Sequence, residues 1–150
     1  MNAGGAAVSP YQADAFFNGG HTASTASSID TSAVTNPAPA AVYQTWRESS
    51  KKAPAFSYTL PGLTPGASYT VRLHFAENSL SRIGARRFSV TINGAQVLSN
   101  FDVLATAGAQ HKALVQTFTV NANGSGQMVI SFSGVTANNG AIVNGIEVLH

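Results

Sequence analysis

Hydrophobic and polar side chains alternate with a period of two along most of this chain, and no long segment shows the period of 3.6 that is typical of an amphipathic helix. The clearest example is the segment 69–75, YTVRLHF. Its aromatic and aliphatic residues share one face of a strand, and its polar residues share the other. We therefore expect Arg72 and His74 to lie on an outer face that is exposed to solvent.

The same alternation predicts six further strands, separated by clusters of Gly, Pro, Asn and Ser that favour turns. Their ranges are 56–60, 88–92, 96–98, 114–120, 128–132 and 142–148. Asn93 and Gly94 lie between two of them and form the strongest short signal for a β-hairpin. Short strands without room for crossover helices predict an all-β fold, in which two antiparallel sheets pack as a β-sandwich. We interpret residues 1–150 as one such domain.

This interpretation leads to predictions about the burial of several aromatic residues and about one long segment. Tyr58 and Tyr69 are predicted to lie in the core, because they fall on the apolar faces of their strands. Phe16 and Phe17 are adjacent, so in an extended chain they face opposite ways and at least one should be buried. The segment 18–40 is rich in Gly, Ser, Thr, Ala and Pro, which predicts a long loop. Such a loop either carries function or simply crosses the end of the sandwich.

The composition restricts the classes of partner. Hydrophobic residues make up 44% of the chain and charged residues only 9%, so neutral polar groups must cover much of the surface. A net charge of +2 is too small for a nucleic-acid-binding surface, and no apolar run is long enough to span a membrane. Residues 1–30 do not resemble a signal peptide. We expect a secreted or extracellular module that is linked to other domains of a larger chain whose signal lies elsewhere.

Catalytic chemistry has little support in the sequence. The chain contains six acidic residues, four histidines and no cysteine, and it lacks the local motifs of zinc proteases, serine hydrolases and nucleotide-binding enzymes. A pair of carboxylates of the glycosidase type is not visible from sequence spacing alone. The sequence therefore predicts a binding domain that is not an enzyme and needs no cofactor.

Four short segments go beyond a general β-pattern: 2–5 (NAGG), 11–14 (YQAD), 42–45 (VYQT) and 73–77 (LHFAE). In this order they resemble the malectin-like domains and the related carbohydrate-binding modules found beside bacterial glycoside hydrolases. The segments 87–94, 100–102 and 142–148 extend the resemblance over essentially the whole chain. The resemblance implies a jelly-roll-like, galactose-binding-like sandwich that binds sugars in a loop cleft at one end.

The resemblance implies non-catalytic recognition of an oligo- or polysaccharide, such as a glucan or another plant cell-wall glycan, by an accessory module of a larger protein such as a glycoside hydrolase. After Ala76 and Glu77, animal malectin carries an aromatic pair where this chain has Asn78, Ser79 and Leu80. That departure argues against the diglucose specificity of the animal protein. The candidate ligand-binding residues are Tyr11, Asp14, Phe17, Tyr43, Trp46, Arg47, Glu77, Asn78, Arg82, Asn138 and Asn139.

Individual candidates admit two interpretations each. Trp46, the only tryptophan, is either an exposed stacking platform for a sugar ring or a plug in the core. Arg82 and Arg86 flank a predicted loop, where they either bind hydroxyl groups or are simply solvated. Asp14 and Glu77 are candidates for ligand contacts or for a structural calcium site. On the binding hypothesis, Trp46→Ala and Asp14→Ala should weaken sugar binding and leave the fold intact.

Two other functions remain open at this point. One is a protein- or peptide-interaction module, and the other is a fibronectin-type structural spacer, because the segment 62–72 resembles the approach to a late strand in that fold. The arrangement of Tyr11, Asp14, Trp46 and Asn138 separates these hypotheses. Convergence on one exposed cleft favours a lectin, whereas dispersal with burial favours a spacer.

Overall fold

The computed structural model describes residues 1–52, 54–136 and 138–150. Within these residues the chain forms eleven strands and two short helices. In chain order they are β1 (Phe17–Asn18), β2 (His21–Ser24), α1 (Ala40–Tyr43), β3 (Thr45–Glu48), β4 (Ala55–Leu60), β5 (Ser68–Phe75), β6 (Phe88–Ile92), β7 (Ala95–Phe101), α2 (Val103–Ala107), β8 (Leu114–Asn121), β9 (Met128–Gly134), β10 (Ile142–Val143) and β11 (Gly145–Leu149).

The strands form one five-stranded sheet, in the order β1-β4-β9-β6-β7, and two three-stranded sheets, in the orders β10-β3-β2 and β11-β5-β8. All pairings between these strands are antiparallel. Only Asn144 separates β10 from β11, so one stretch of chain joins the two smaller sheets. The main core contains residues from the five-stranded sheet and from both smaller sheets. The predicted all-β sandwich of antiparallel sheets is therefore confirmed.

The hairpin between β6 and β7 forms where the sequence predicts it. Asn93 and Gly94 both have positive φ angles, of 48° and 83°. Two successive positive φ values are the requirement of a type I′ turn, which matches the right-handed twist of the strands that it joins. Asparagine and glycine adopt this conformation at little cost.

The core is built from the alternating residues of the central strands. Phe56 of β4 stacks on Phe132 of β9, with ring centroids 4.8 Å apart and an interplanar angle of 10°. Tyr58 and Tyr69 are buried, as predicted, and so are all the apolar residues of β5. Alternation along the strand thus correctly identified the inner face.

The outer face of β5 is a different case. His74 has no exposed surface, because the N-terminal segment and the loop that follows β2 cover this face of the sheet. The prediction that Arg72 and His74 face solvent is therefore wrong. The Arg72 guanidinium donates hydrogen bonds to the backbone oxygens of Thr35 and Asn36, at 3.0 and 2.8 Å, and so holds the loop against the sheet. Part of the predicted loop 18–40 forms β2, and much of the rest has this covering role.

Phe16 and Phe17 also differ from the prediction, since both side chains are exposed, by 53% and 46%. Phe16 has a φ of 60°, in the left-handed region of the Ramachandran plot. The backbone is therefore not extended at this position, and the rule that adjacent side chains point in opposite directions does not apply. Two aromatic rings remain at the surface beside the edge of the five-stranded sheet.

Candidate functional site

A cleft of about 300 Å³ lies where the segments that follow β3 and β5 meet the segment that precedes β10. Gly140 permits this meeting, because a β carbon at its position would collide with the backbone oxygen of Ser49. The described residues that line the cleft are His21, Glu48, Ser49, Ser50, Lys51, Ser79, Leu80, Arg86, Asn138, Asn139 and Gly140. Hydroxyl, amide and backbone groups predominate in this lining.

The carboxylate of Glu48 is held in place by three neighbours. Its Oε1 lies 2.9 Å from Nε2 of His21, and its Oε2 accepts a hydrogen bond of 3.0 Å from the indole nitrogen of Trp46. Nη2 of Arg86 lies 3.6 Å from the same Oε2. Because the Glu48 side chain keeps 21% of its surface exposed, the cleft contains an oriented acceptor that a ligand can reach.

Arg86 connects the loops that form the cleft. Its Nε donates a 2.7 Å hydrogen bond to Glu77, and its Nη1 donates one of the same length to the backbone oxygen of Gly140. The other oxygen of Glu77 accepts hydrogen bonds from the amides of Ser79 and Leu80. Arg86 is therefore buried rather than solvated, in contrast to one of the two interpretations from sequence, whereas Arg82 is exposed. The network fixes the shape of the cleft before any ligand arrives.

Asp14 and Arg47 belong to a separate, buried ion pair. The Oδ2 atom of Asp14 accepts hydrogen bonds from Nε and Nη2 of Arg47, at 3.1 and 2.7 Å, and its Oδ1 accepts one of 2.7 Å from the Tyr58 hydroxyl. The two side chains of the pair are 9% and 5% exposed. These groups stabilise the fold and do not line the cleft.

These contacts bear on the predicted calcium site. Both oxygens of Asp14 and both oxygens of Glu77 already accept hydrogen bonds, and each carboxylate is paired with an arginine. Within the described residues, three or more His, Cys, Asp or Glu side chains do not come together in a group suited to a metal ion. The donor set does not fit calcium, which needs six to eight oxygen ligands.

Tyr11 and Tyr43 meet on the buried His74. The Tyr43 hydroxyl lies 2.8 Å from Nδ1 of the imidazole, and the Tyr11 hydroxyl lies 3.3 Å from Nε2 and also donates to Glu147. Glu147 pairs in turn with Arg72, at 2.7 Å. Both tyrosines are buried, so neither offers a ring to a ligand.

The candidates from sequence therefore disperse over the molecule. Only Asn138 and Asn139 line the cleft, and Trp46, which is 5% exposed, packs in the main core. The interpretation of Trp46 as an exposed platform is wrong, because the indole is covered and its N–H is bound to Glu48. Asn78 does not line the cleft, and its side-chain amide donates a hydrogen bond to the backbone oxygen of Tyr43. The proposed convergence of Tyr11, Asp14, Trp46 and Asn138 does not occur.

Comparison with known proteins places the chain in a family. A family model for the malectin domain matches residues 1–147. The chain belongs to the malectin domain family. The resemblance found in the sequence is thereby confirmed, and it rested on the ordered segments rather than on any single binding residue.

In its relatives, the segment that matches this malectin domain is part of a longer chain. Receptor-like protein 4 of Arabidopsis thaliana is 35% identical over 112 residues, which are 73% of this chain and 17% of the relative. The ANX1 ectodomain from Arabidopsis thaliana superposes with a TM-score of 0.85 at 18% identity, over 99% of this chain and 46% of that one. A chain in the crystal structure of the plant peptide RALF23 in complex with FER and LLG2 gives 0.84 at 21% identity, over 98% and 46%.

The malectin domain thus spans less than a fifth of the length of the curated relatives that it matches. Its likeness to the solved structures shows the fold. In the described parts of the chain, neither of the two helices is long and apolar enough to cross a membrane.

Sequence reasoning missed the acceptor at the centre of the cleft. Glu48 and His21 lie 27 positions apart, but β2 and β3 pair them directly across the sheet. The one local signal is the spacing of Trp46 and Glu48, two positions apart on a strand and therefore on the same face. That signal identifies neighbours, but it does not show that a cleft opens beside them.

The buried imidazole of this malectin domain predicts a pH dependence of stability. Burial lowers the pKa of His74 from 6.5 to about 4, against the opposing effect of the nearby Glu147 carboxylate. The unfolded chain takes up a proton near pH 6.5 and the folded chain does not. This contribution to stability is therefore complete above pH 6.5 and is lost as the pH falls towards 4, by about 3 kcal/mol in total.

Urea unfolding at a series of pH values between 7.5 and 4.5 measures this loss. We expect His74→Gln to flatten the profile, because the variant has no buried imidazole whose protonation favours the unfolded chain. Parallel profiles for the parent protein and His74→Gln would contradict the assignment.

Proposed function

We propose that this malectin domain is a non-catalytic carbohydrate-binding module and that the cleft around Glu48 holds one or two rings of a neutral oligo- or polysaccharide. The observation that carries the proposal is the lining, which combines one oriented carboxylate with many neutral hydrogen-bonding groups. The cleft volume of about 300 Å³ lies at the lower end of the range for small-molecule sites.

The lining suits the chemistry of sugar hydroxyl groups, which both donate and accept hydrogen bonds. Asn138 is exposed, and Nζ of Lys51 lies 3.3 Å from its Oδ1, so an amide and an ammonium group stand side by side at the mouth. Leu80 supplies an apolar contact for the C–H face of a ring. We expect modest affinity, because the described residues that line the cleft include no Phe, Tyr or Trp.

The carboxylates support the proposal that the site does not catalyse hydrolysis. Glycosidases commonly use two acidic residues that flank the scissile bond. Among the described residues that line the cleft, Glu48 is the only acid. Glu77 lies behind it, 2% exposed, with both oxygens engaged by Arg86 and by backbone amides.

An extracellular setting is part of the proposal. The relatives include receptor-like proteins, and one similar structure is an extracellular domain, ANXUR1 from Arabidopsis thaliana. We infer that this domain works outside the cell as one part of a longer chain. A role beside a glycoside hydrolase stays a prediction.

Peptide or protein recognition is the second candidate function. The crystal structure of RALF23 in complex with FER and LLG2 favours this function, because a chain of that peptide complex has the same fold as this domain. A loop cleft with fixed amide and hydroxyl groups also suits the backbone of a peptide. Binding of glycans or of peptides by the isolated domain separates the two functions.

The test follows the fluorescence of Trp46, the only tryptophan, whose indole is hydrogen-bonded to Glu48. A ligand that contacts Glu48 should change the emission, so titration with soluble glucans, xyloglucan and their oligosaccharides reports binding. Asn138→Ala should weaken the affinity about 3- to 10-fold, the effect of about one neutral hydrogen bond.

The matched control is Asn121→Ala, an exposed asparagine on β8 that does not line the cleft. We expect it to bind like the parent protein. Equal affinity of the parent and Asn138→Ala would contradict the cleft as the binding site. A complete lack of response to glycans, together with a response to peptides, would favour the second candidate function.

A further inference from the structure

Phe16 and Phe17 form an exposed aromatic patch that neither the fold nor the cleft explains. Among the phenylalanine, tyrosine and tryptophan residues that the structure describes, these two are the exposed ones, at 53% and 46%, and neither lines the cleft. Burial of a phenylalanine ring stabilises a fold, so a pair of rings left in solvent forgoes that stabilisation. We propose that this pair, named here the Phe16–Phe17 platform, is a second sugar-binding surface that stacks against a pyranose ring of a neutral polysaccharide.

The Phe17 ring is held by a contact with Arg47 and is still partly exposed. The guanidinium carbon of Arg47 lies 3.5 Å from the ring centroid, so one face is covered. Arg47 is itself fixed by Asp14 and by the backbone oxygen of Gly19. Phe17 is nonetheless 46% exposed, so part of the ring outside the Arg47 contact is accessible to a ligand. A rigid, flat apolar surface is the element that a lectin offers to the C–H face of a sugar.

The backbone conformation of Phe16 is one that phenylalanine adopts only at a cost. A bulky residue at a φ of 60° is uncommon, since only glycine, asparagine and aspartate adopt this region readily. The Phe16 backbone is held there by a 2.9 Å hydrogen bond from the Thr59 amide to its oxygen. Residues in rare conformations cluster at binding sites, where the strain serves to present a side chain. Neither burial of the side chain nor the backbone conformation therefore favours phenylalanine at position 16.

The surroundings select a neutral ligand. Arg47 is 4% exposed and its charge is balanced by Asp14, so the platform offers no free charge to an acidic partner. Its neighbours Asn18, Ser57 and Thr59 are neutral hydrogen-bonding residues. The two rings expose together about 200 Å², well below the roughly 800 Å² that each partner contributes to a typical protein interface. One or two sugar rings match this area, and a folded protein does not.

This inference rests on the proposed function, because it assigns a second surface to the same class of ligand. Phe17 and His21 are four positions apart, so their α carbons lie within about 14 Å of each other. His21 lines the cleft. A polysaccharide that engages both surfaces gains affinity by avidity, whereas a disaccharide occupies only one of them.

The experiment uses Phe17→Leu, which keeps an apolar side chain but removes the flat ring, and Phe16→Asn, which suits the positive φ. Retardation in native gels that contain hydroxyethyl cellulose, xyloglucan, mixed-linkage β-glucan or galactomannan measures polysaccharide affinity. We expect each variant to lose at least 5-fold against the polysaccharide that retards the parent most. Disaccharide titrations followed by Trp46 fluorescence should be unchanged, and Phe16→Asn should melt at the same temperature as the parent or higher.

Controls separate this inference from the proposed function. Ile83→Ala and Leu149→Ala remove exposed apolar side chains elsewhere and should be retarded like the parent. If both phenylalanine variants are also retarded like the parent while Asn138→Ala is not, the platform is wrong and the cleft stands. If Asn138→Ala behaves like the parent and the phenylalanine variants do not, the cleft is wrong and the platform stands.

Two further outcomes overturn the platform. If no polysaccharide in the panel retards the parent, both sugar-binding assignments fail. If sedimentation shows that the parent dimerises and that Phe17→Leu abolishes the dimer without changing retardation, the patch is a contact between two copies of this chain.

Discussion

Replacing Phe88 by alanine is expected to lower the free energy of unfolding by about 3–5 kcal/mol, the range observed for large buried aromatic residues. Phe88 has no exposed surface and lies at the start of β6. Its ring packs edge-on against Phe101 of β7, with centroids 5.5 Å apart, and lies 5.8 Å from Phe75 of β5. It therefore links the five-stranded sheet to the opposite layer.

The cost is large because the cavity cannot close easily. The strand that carries Phe88, β6, is paired on both sides, with β7 and β9, and Phe75 lies on β5, which is paired with β8 and β11, so these backbones can move little towards the space that is left. Urea denaturation followed by circular dichroism measures the change. Ile83→Ala, at a residue 64% exposed, is the control and should change stability by no more than about 0.5 kcal/mol. A loss below about 1 kcal/mol for Phe88→Ala would show that the packing of this layer is misassigned.

Asp14→Ala is expected to destabilise the fold by about 3–5 kcal/mol, the usual result of removing one partner of a buried ion pair. The substitution leaves the Arg47 guanidinium charged and only 4% exposed, and it removes the acceptor of the Tyr58 hydroxyl. This result differs from the expectation based on sequence, in which Asp14 contacts a sugar and its loss leaves the fold intact. The same reasoning predicts that Trp46→Ala disturbs the core and frees Glu48 from its indole partner.

A double variant tests the cause. Asp14→Ala with Arg47→Met removes both charges and keeps an apolar side chain beneath Phe17, so it should recover a substantial part of the loss. Both variants are measured by the same urea denaturation as the parent. If Asp14→Ala unfolds like the parent and loses glycan binding instead, the ion pair is not structural and the hypothesis from sequence is right.

Most of the strands, the hairpin and the family could all be predicted from the sequence. A period of two is a local property, so it identified β4, β5, β6, β8 and β9 and the inner face of each without knowledge of their partners. The turn at Asn93 and Gly94 is equally local, because the two residue types themselves favour positive φ. The order of short segments identified the malectin domain for another reason: the matching positions recur along the whole chain.

The candidate site depended on contacts that alternation cannot show. Periodicity states which residues share a face, but not whether another part of the chain covers that face. His74 is buried because the loop after β2, remote in sequence, lies over β5, and Asp14 is structural because Arg47 reaches it across 33 positions. Phe16 is exposed because its backbone leaves the extended region, which no alternation rule anticipates. The cleft itself exists only because β2, β3 and the segments that follow β5 and precede β10 meet in space, so the tertiary structure alone decided where Glu48 points and what surrounds it.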